Sequence, residues 1–252
     1  MTPSELAREA RNVLRKAADP LVAQSQRMFF KPWEKVAMHG IKTPDLRAIE
    51  RRLYHLVRTE WSYAQALRFC DLLIADRYIE SKGLGLMLLT RYHRKYEEDL
   101  LDRAKLWLER DLCANWAVTD QLSTQILSRL LDQYEHVARR IEGWKRSSNL
   151  WVRRAGVVSF VKPSGRGRHL DRVYRVVPAH FKDDHDLMHK ACGWLLREAG
   201  KADADRLERF LLRQGTAIPR TTVRYAIERF PEGRRRRILE RTRVKIEGRG
   251  RT

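Results

Sequence analysis

The residues best placed to do chemistry are Trp116 and Asp120, within Asn115-Trp116-Ala117-Val118-Thr119-Asp120. Asn115 is a helix N-cap by type, and the i, i+4 spacing puts the indole and the carboxylate on one face of the helix it opens. An aromatic face attracts a cation, and a carboxylate beside it stabilises positive charge that develops during a reaction. A core tryptophan next to a solvated carboxylate fits the same segment, which by itself leaves both readings open. A second set surrounds Trp194, with Lys190 four residues before it and Arg197 three after. That face suits an aromatic stacked beside phosphates, or equally a buried indole with basic stems snorkelling past it. Trp151 and Arg154 repeat the arrangement at i, i+3. Arg153 and Arg154 either pin a phosphate or form a solvated basic face.

Helices must position these groups. Nearly every segment reads at the helical period with polar punctuation, and alternating strand-like runs and hairpin dipeptides are missing. The pattern predicts an all-α fold with helices starting near Ser4, Pro20, Pro44, Ser62, Asp76, Glu97, Asn115, Asp132, Asn149, Gly167, Asp184, Ala202, Thr221 and Glu232. Each is expected to run roughly 10 to 17 residues. Short amphipathic helices joined by tight turns suit a curved solenoid of antiparallel pairs whose concave groove is lined with Arg and Lys. The segments Leu150–Val158 and Met188–Arg197 share a basic, aromatic, small-residue character about 40 residues apart, near the HEAT period. Residues 1–240 are expected to form one such domain, and 241–252 a disordered basic tail.

The charge identifies the partner class. Lys and Arg number 52 against 32 Asp and Glu, for a formal charge of +20. An excess of this size calls for an anionic partner: nucleic acid leads, through neutralisation of phosphates and release of counterions, and an anionic membrane surface is the rival. The longest apolar runs, such as Gly83–Leu89, fall well short of the ~20 residues of a membrane span. No secretory signal opens the chain, so it is expected in the cytoplasm, at the nucleoid when bound to DNA. Cys70, Cys113 and Cys192 lie far apart inside apolar helical patterns and read as buried thiols. His185 and His189 are one turn apart, but nothing nearby completes a metal set, so neither a metal nor an organic cofactor is expected. In the C-terminal stretch, Arg234–Arg237 and Gly248–Arg251 add nonspecific phosphate affinity, while Ile246-Glu247-Gly248-Arg249 resembles a protease-cleavage linker and is set aside from the fold.

Between Ala23 and Ile238 the chain resembles the AlkD-like DNA alkylation repair glycosylases, which are built from HEAT-like repeats. The likeness rests on Met38-His39-Gly40-Ile41-Lys42-Thr43-Pro44-Asp45-Leu46-Arg47, on Trp116 and Asp120, on Asn149–Ala155, and on Lys190–Glu198. It implies that Trp116 and Trp194 face the lesion, that Asp120 is the catalytic carboxylate, and that Arg154 grips the DNA backbone. Arg153, Lys190, Arg197 and Lys42 are assigned to the backbone with it. Ala117 stands where some members of the family carry a further acidic residue.

What the resemblance implies is a monofunctional glycosylase, expected to act as a monomer on double-stranded DNA. It would hydrolyse the N-glycosidic bond of cationic N3- or N7-alkylated purines such as 3-methyladenine and 7-methylguanine, without enclosing the base in a pocket. The alternative is a noncatalytic HEAT-repeat protein for branched or distorted DNA. Retention of Trp116, Asp120 and Trp194 favours the enzyme, since a carboxylate in a pure phosphate-binding groove repels DNA.

Overall fold

The computed structural model describes residues 1–34 and 36–243. Side-chain caps open many of its helices. Thr2 and Glu5 form a capping box at α1 (Pro3–Lys16), and Asp19 accepts the Leu21 and Val22 N–H groups at α2 (Pro20–Arg27). Pro44 lies in the first turn of α3 (Thr43–Val57), and Ser62 with Gln65 makes a second box at α4 (Tyr63–Ile74). Next come α5 (Ile79–Thr90) and α6 (Leu100–Glu109). α7 (Trp116–Leu122), a π-helical turn (Ser123–Leu127) and α8 (Ser128–Gln133) then run on without a break. The rest is α9 (Val137–Gly143), α10 (Leu150–Val158), α11 (Val161–Gly165), α12 (Leu170–Val176), α13 (Asp186–Ala202), α14 (Ala204–Gln214), α15 (Arg220–Ala226) and α16 (Glu232–Arg241), with single turns of 3-10 helix between some of them. The described residues contain no strand, only an isolated bridge between Ala37 and Tyr78. The protein is all-α.

Most helices start within three residues of the predicted positions. Asp132 is an exception: it lies in α8 instead of opening a helix, and α9 begins at Val137. Lengths depart further, because α7, α12 and α15 have only seven residues each. α11, which the sequence pattern does not suggest, tolerates Pro163 because the first four N–H groups of a helix need no intrahelical partner. Of the predicted tail, Arg241 closes α16; residues 244–252, with the linker-like 246–249, lie outside the described residues.

By its internal contacts the chain divides into a unit of residues 1–138 and a second starting at Arg139, the boundary falling within α9. In the first unit α5 is the central helix, packed on α3, α4 and α7. It has no polar stripe: Leu84, Leu86, Leu88 and Leu89 are fully buried, each worth about 1.5–3 kcal/mol. Gly85 brings α4 close, since a Cβ there would sit 3.1 Å from the Leu73 Cβ. The two charged residues on α5 are spent on backbone. Lys82 donates to the carbonyls of Ile74 and Leu112, both at 2.7 Å. Glu80 accepts from the N–H groups of His39 (2.9 Å), Gly40 (2.8 Å) and Ile41 (3.3 Å). Gly40 has φ +81°, and a Cβ on it would lie 2.1 Å from the Asp19 carbonyl oxygen, so only glycine fits. These bonds give the His39-Gly40-Ile41 sequence its physical meaning as the clamp that seats the chain leading into α3.

In the second unit α13 is central, packed on α10, α11 and α15. Gly193 permits the approach of α15, because a Cβ there would meet the Tyr225 Cβ at 2.4 Å and the Thr222 carbonyl oxygen at 2.8 Å. All three cysteines are buried and reduced, and burial raises each thiol pKa, that of Cys113 to about 12. Among the described residues no helix is long and apolar enough to cross a membrane, and no group of three His, Cys, Asp or Glu side chains is placed to hold a metal ion.

Candidate nucleic-acid interface

The start of α7 is fixed from both sides. The Asn115 carboxamide accepts the Val118 N–H at 2.9 Å, as its type predicts, and the Thr119 hydroxyl donates to the Cys113 carbonyl at 2.7 Å. Trp116 is therefore the first helical residue and Asp120 follows one turn later, both half-buried. The Asp120 carbonyl accepts from the Thr124 hydroxyl at 2.7 Å, where the helix widens into its π turn. Ser128 closes that turn, with both its N–H and its hydroxyl directed at the Ser123 carbonyl.

Trp116 is neither free nor a core residue. Phe30 stacks on it with ring centroids 5.2 Å apart and planes 25° from parallel. Together they line an open cleft of about 240 Å³ with Phe29, Ile41, Leu46 and Gln121. The Gln121 amide donates to the Gly83 carbonyl at 2.8 Å, and buried Glu80 on the same wall is occupied by the clamp. Phe29, 73% exposed, stands at the mouth. Phe29 and Phe30 are the residues that sequence spacing missed. Their signal was weak: two adjacent aromatics, just past the end of a helix with no buried residue of its own. Lys42 stands next to this cleft in sequence, preceding Thr43 on its lining, and is exposed with no carboxylate paired to it among the described residues.

The remaining predicted site residues belong to the second unit, on α10 and α13. Arg154 is buried, and its guanidinium donates to the Leu187 carbonyl in the first turn of α13. Arg153 is paired with Asp183 at 2.9 Å and also donates to the carbonyls of Ser147 (3.0 Å) and Ser148 (2.8 Å). Lys190 is paired with Asp186 at 2.7 Å, and Arg197 with Glu228. Trp194, between them on α13, is half-buried. The Arg153 guanidinium and the His185 N–H hold the Asp183 carboxyl below the usual carboxylate range despite its burial. Burial lowers His180, beside it, to about 4. The α10–α13 pair thus holds the predicted cations together, mostly within internal ion pairs.

Residues 10–230 match the family model described as DNA alkylation repair enzyme. Among solved structures, one described as a predicted DNA alkylation repair enzyme from Enterococcus faecalis is similar, with a TM-score of 0.75 over 85% of this chain and 97% of that one. At 14% identity it shows a shared fold. No curated protein matches the chain.

Proposed function

Since the chain belongs to the DNA alkylation repair enzyme family, we propose that it is a DNA glycosylase hydrolysing the N-glycosidic bond of cationic N3- or N7-alkylated purines in duplex DNA. The observation that carries this reading is the face of α7, where Trp116 borders an open cleft and Asp120 stands one turn away. At about 240 Å³ the cleft falls below the ~300–1,000 Å³ of sites that enclose a small molecule, which supports action on a lesion gripped from outside rather than swallowed.

An alkylated purine of this kind carries a positive charge, so its bond to the sugar is already weakened. The Trp116 face attracts that cation by about 0.5–2 kcal/mol. As the bond breaks, its electron pair returns to the base and cancels the charge there, leaving the deoxyribose oxocarbenium-like. The ionised Asp120 carboxylate stabilises that sugar and orients a water whose oxygen bonds to C1′. The proton shed by the water passes to the carboxylate and on to solvent, and an abasic site remains. Arg154 and Trp194 are further candidate DNA contacts by resemblance, with Arg153, Lys190 and Arg197 behind them and Lys42 on the first unit.

The test is release of free base from methylated duplex by the wild type and by Asp120→Asn. Release of 3-methyladenine or 7-methylguanine that drops at least about a hundredfold in the variant, with DNA affinity kept, supports the reading. Binding without any release by either protein replaces it with the noncatalytic DNA-binding alternative.

A further inference from the structure

A second cleft lies on the same three helical segments that form the Trp116 cleft. Thr43 and Leu46 of α3, Gly83 of α5 and Gln121 of α7 line the first cleft; farther along, Arg47, Arg51 and Tyr54, then Thr90 and Arg91, then Gln125 and Arg129 line the second, of about 540 Å³. The order is the same on every helix, so the three run in one direction and the clefts are successive along one face of the first unit. From Leu46 to Tyr54, Gly83 to Arg91 and Gln121 to Arg129 the step is eight residues. At ~1.5 Å per residue that puts the clefts about 12 Å apart.

The second cleft carries an uncompensated charge. Its single carboxylate, buried Glu50, is held by both arms of Arg91, at 2.9 and 2.7 Å. Arg47 and Arg51, one turn apart on α3, and Arg129 on α8 have no carboxylate partner among the described residues. Three guanidinium groups converging without a counter-charge repel one another, a cost that a bound polyanion reverses.

We propose that Arg47, Arg51 and Arg129 hold the phosphates of the strand opposite the lesion, so that the protein reads a duplex and not a single strand. The spacing fits this occupant. The two backbones that flank the minor groove, where N3 of a purine lies, leave a clear width of ~6 Å; adding one phosphate's own width gives about 12 Å between phosphate centres. One strand at the aromatic cleft then delivers the other to the arginines. The inference rests on the glycosylase reading only for which strand lies where; the duplex requirement stands without it.

Binding of undamaged duplex and of its single strand is measured against salt concentration for the wild type and for R47A/R51A/R129A. The variant is expected to lose tenfold or more in duplex affinity, with the slope of log K against log salt reduced by about one per arginine, while single-strand binding is unchanged. An unchanged duplex slope, or equal losses on both substrates, overturns the proposal. Because no base is released in this experiment, its failure is separate from failure of the excision assay. The strand assignment has its own arm, using a duplex with one abasic analogue and a neutral methylphosphonate patch. The patch should erase the difference between wild type and variant when it faces the analogue from the opposite strand, and a patch that does so only in the analogue's own strand reverses the assignment. Each variant's thermal melting, expected at the wild-type temperature, confirms that these exposed and half-buried side chains are not needed for folding.

Discussion

The candidate DNA-contact cations of the two units are used in opposite ways. On the second, Arg153, Lys190 and Arg197 are each paired with a carboxylate, and Arg154 is buried against a backbone carbonyl. On the first, Arg47, Arg51, Arg129 and Lys42 have no such partner among the described residues. A net charge of +20 says how many cations exceed the anions, not which ones remain available. Availability is decided by neighbours: the one carboxylate on the arginine cleft, Glu50, is already held by Arg91 and leaves Arg47, Arg51 and Arg129 without a partner among the described residues. The contrast predicts that truncating second-unit cations costs stability, while truncating first-unit cations costs DNA binding.

The largest effect to break that contrast is expected from Arg153→Met. Removing one partner of a largely buried pair, and two carbonyl contacts with it, should destabilise the protein by about 3 kcal/mol, seen as a lower thermal midpoint with an unchanged salt slope for DNA. A stable variant with weakened DNA binding would move Arg153 to the DNA-contact class. Acid should act on the same cluster. The folded pKa of His180, about 4, lies below the ordinary 6.5, so the unfolded chain takes up the proton first. The stability is complete above pH 6.5 and is lost as the pH falls toward 4, by an amount on the order of 3 kcal/mol. Urea unfolding between pH 7 and 4 checks this, and His180→Phe should flatten the histidine's part of that slope, whereas the contribution of Asp183, whose carboxyl is held below its ordinary value by Arg153, is lost only at still lower pH.

Glu50→Gln sharpens the comparison from the other side. It frees Arg91 in the arginine cleft and should steepen the duplex salt slope by about one while costing roughly 1–3 kcal/mol of stability. No change in slope would mean that Arg91 cannot reach a phosphate. The smallest effect is expected at Lys190→Gln, whose exposed pair with Asp186 is worth at most about 1 kcal/mol. A thermal midpoint within a few degrees of wild type would agree with that.

The features legible in the sequence are those set by near neighbours. The caps at Ser62, Asn115 and Asn149 mark helix starts because each bonds a backbone N–H two or three residues on. Trp116 and Asp120 share a face for the same local reason. Partners far apart in the chain were not legible. Arg153 meets Asp183 across 30 residues, Arg197 meets Glu228 across 31 and Arg91 meets Glu50 across 41, so a basic helical face looks the same whether its charges are spent or free. Phe30 against Trp116 is a contact of the same class. Helix lengths were overestimated where the continuing apolar pattern hid a break, as at Ser159–Phe160 between α10 and α11 and at Pro178, where α12 passes into a 3-10 turn.

The π turn after Asp120 has an evolutionary corollary. Such a turn holds one residue more than an α-helical turn and can arise from a single inserted codon. Because the wider turn takes up the extra residue locally, the helix beyond it keeps the phase it would have without that residue, and Arg129 stays on the arginine cleft with Gln125. Relatives with a one-residue gap between Asp120 and Arg129 should therefore have an unbroken α-helix there and keep both the lesion-strand chemistry and the hold on the complementary strand.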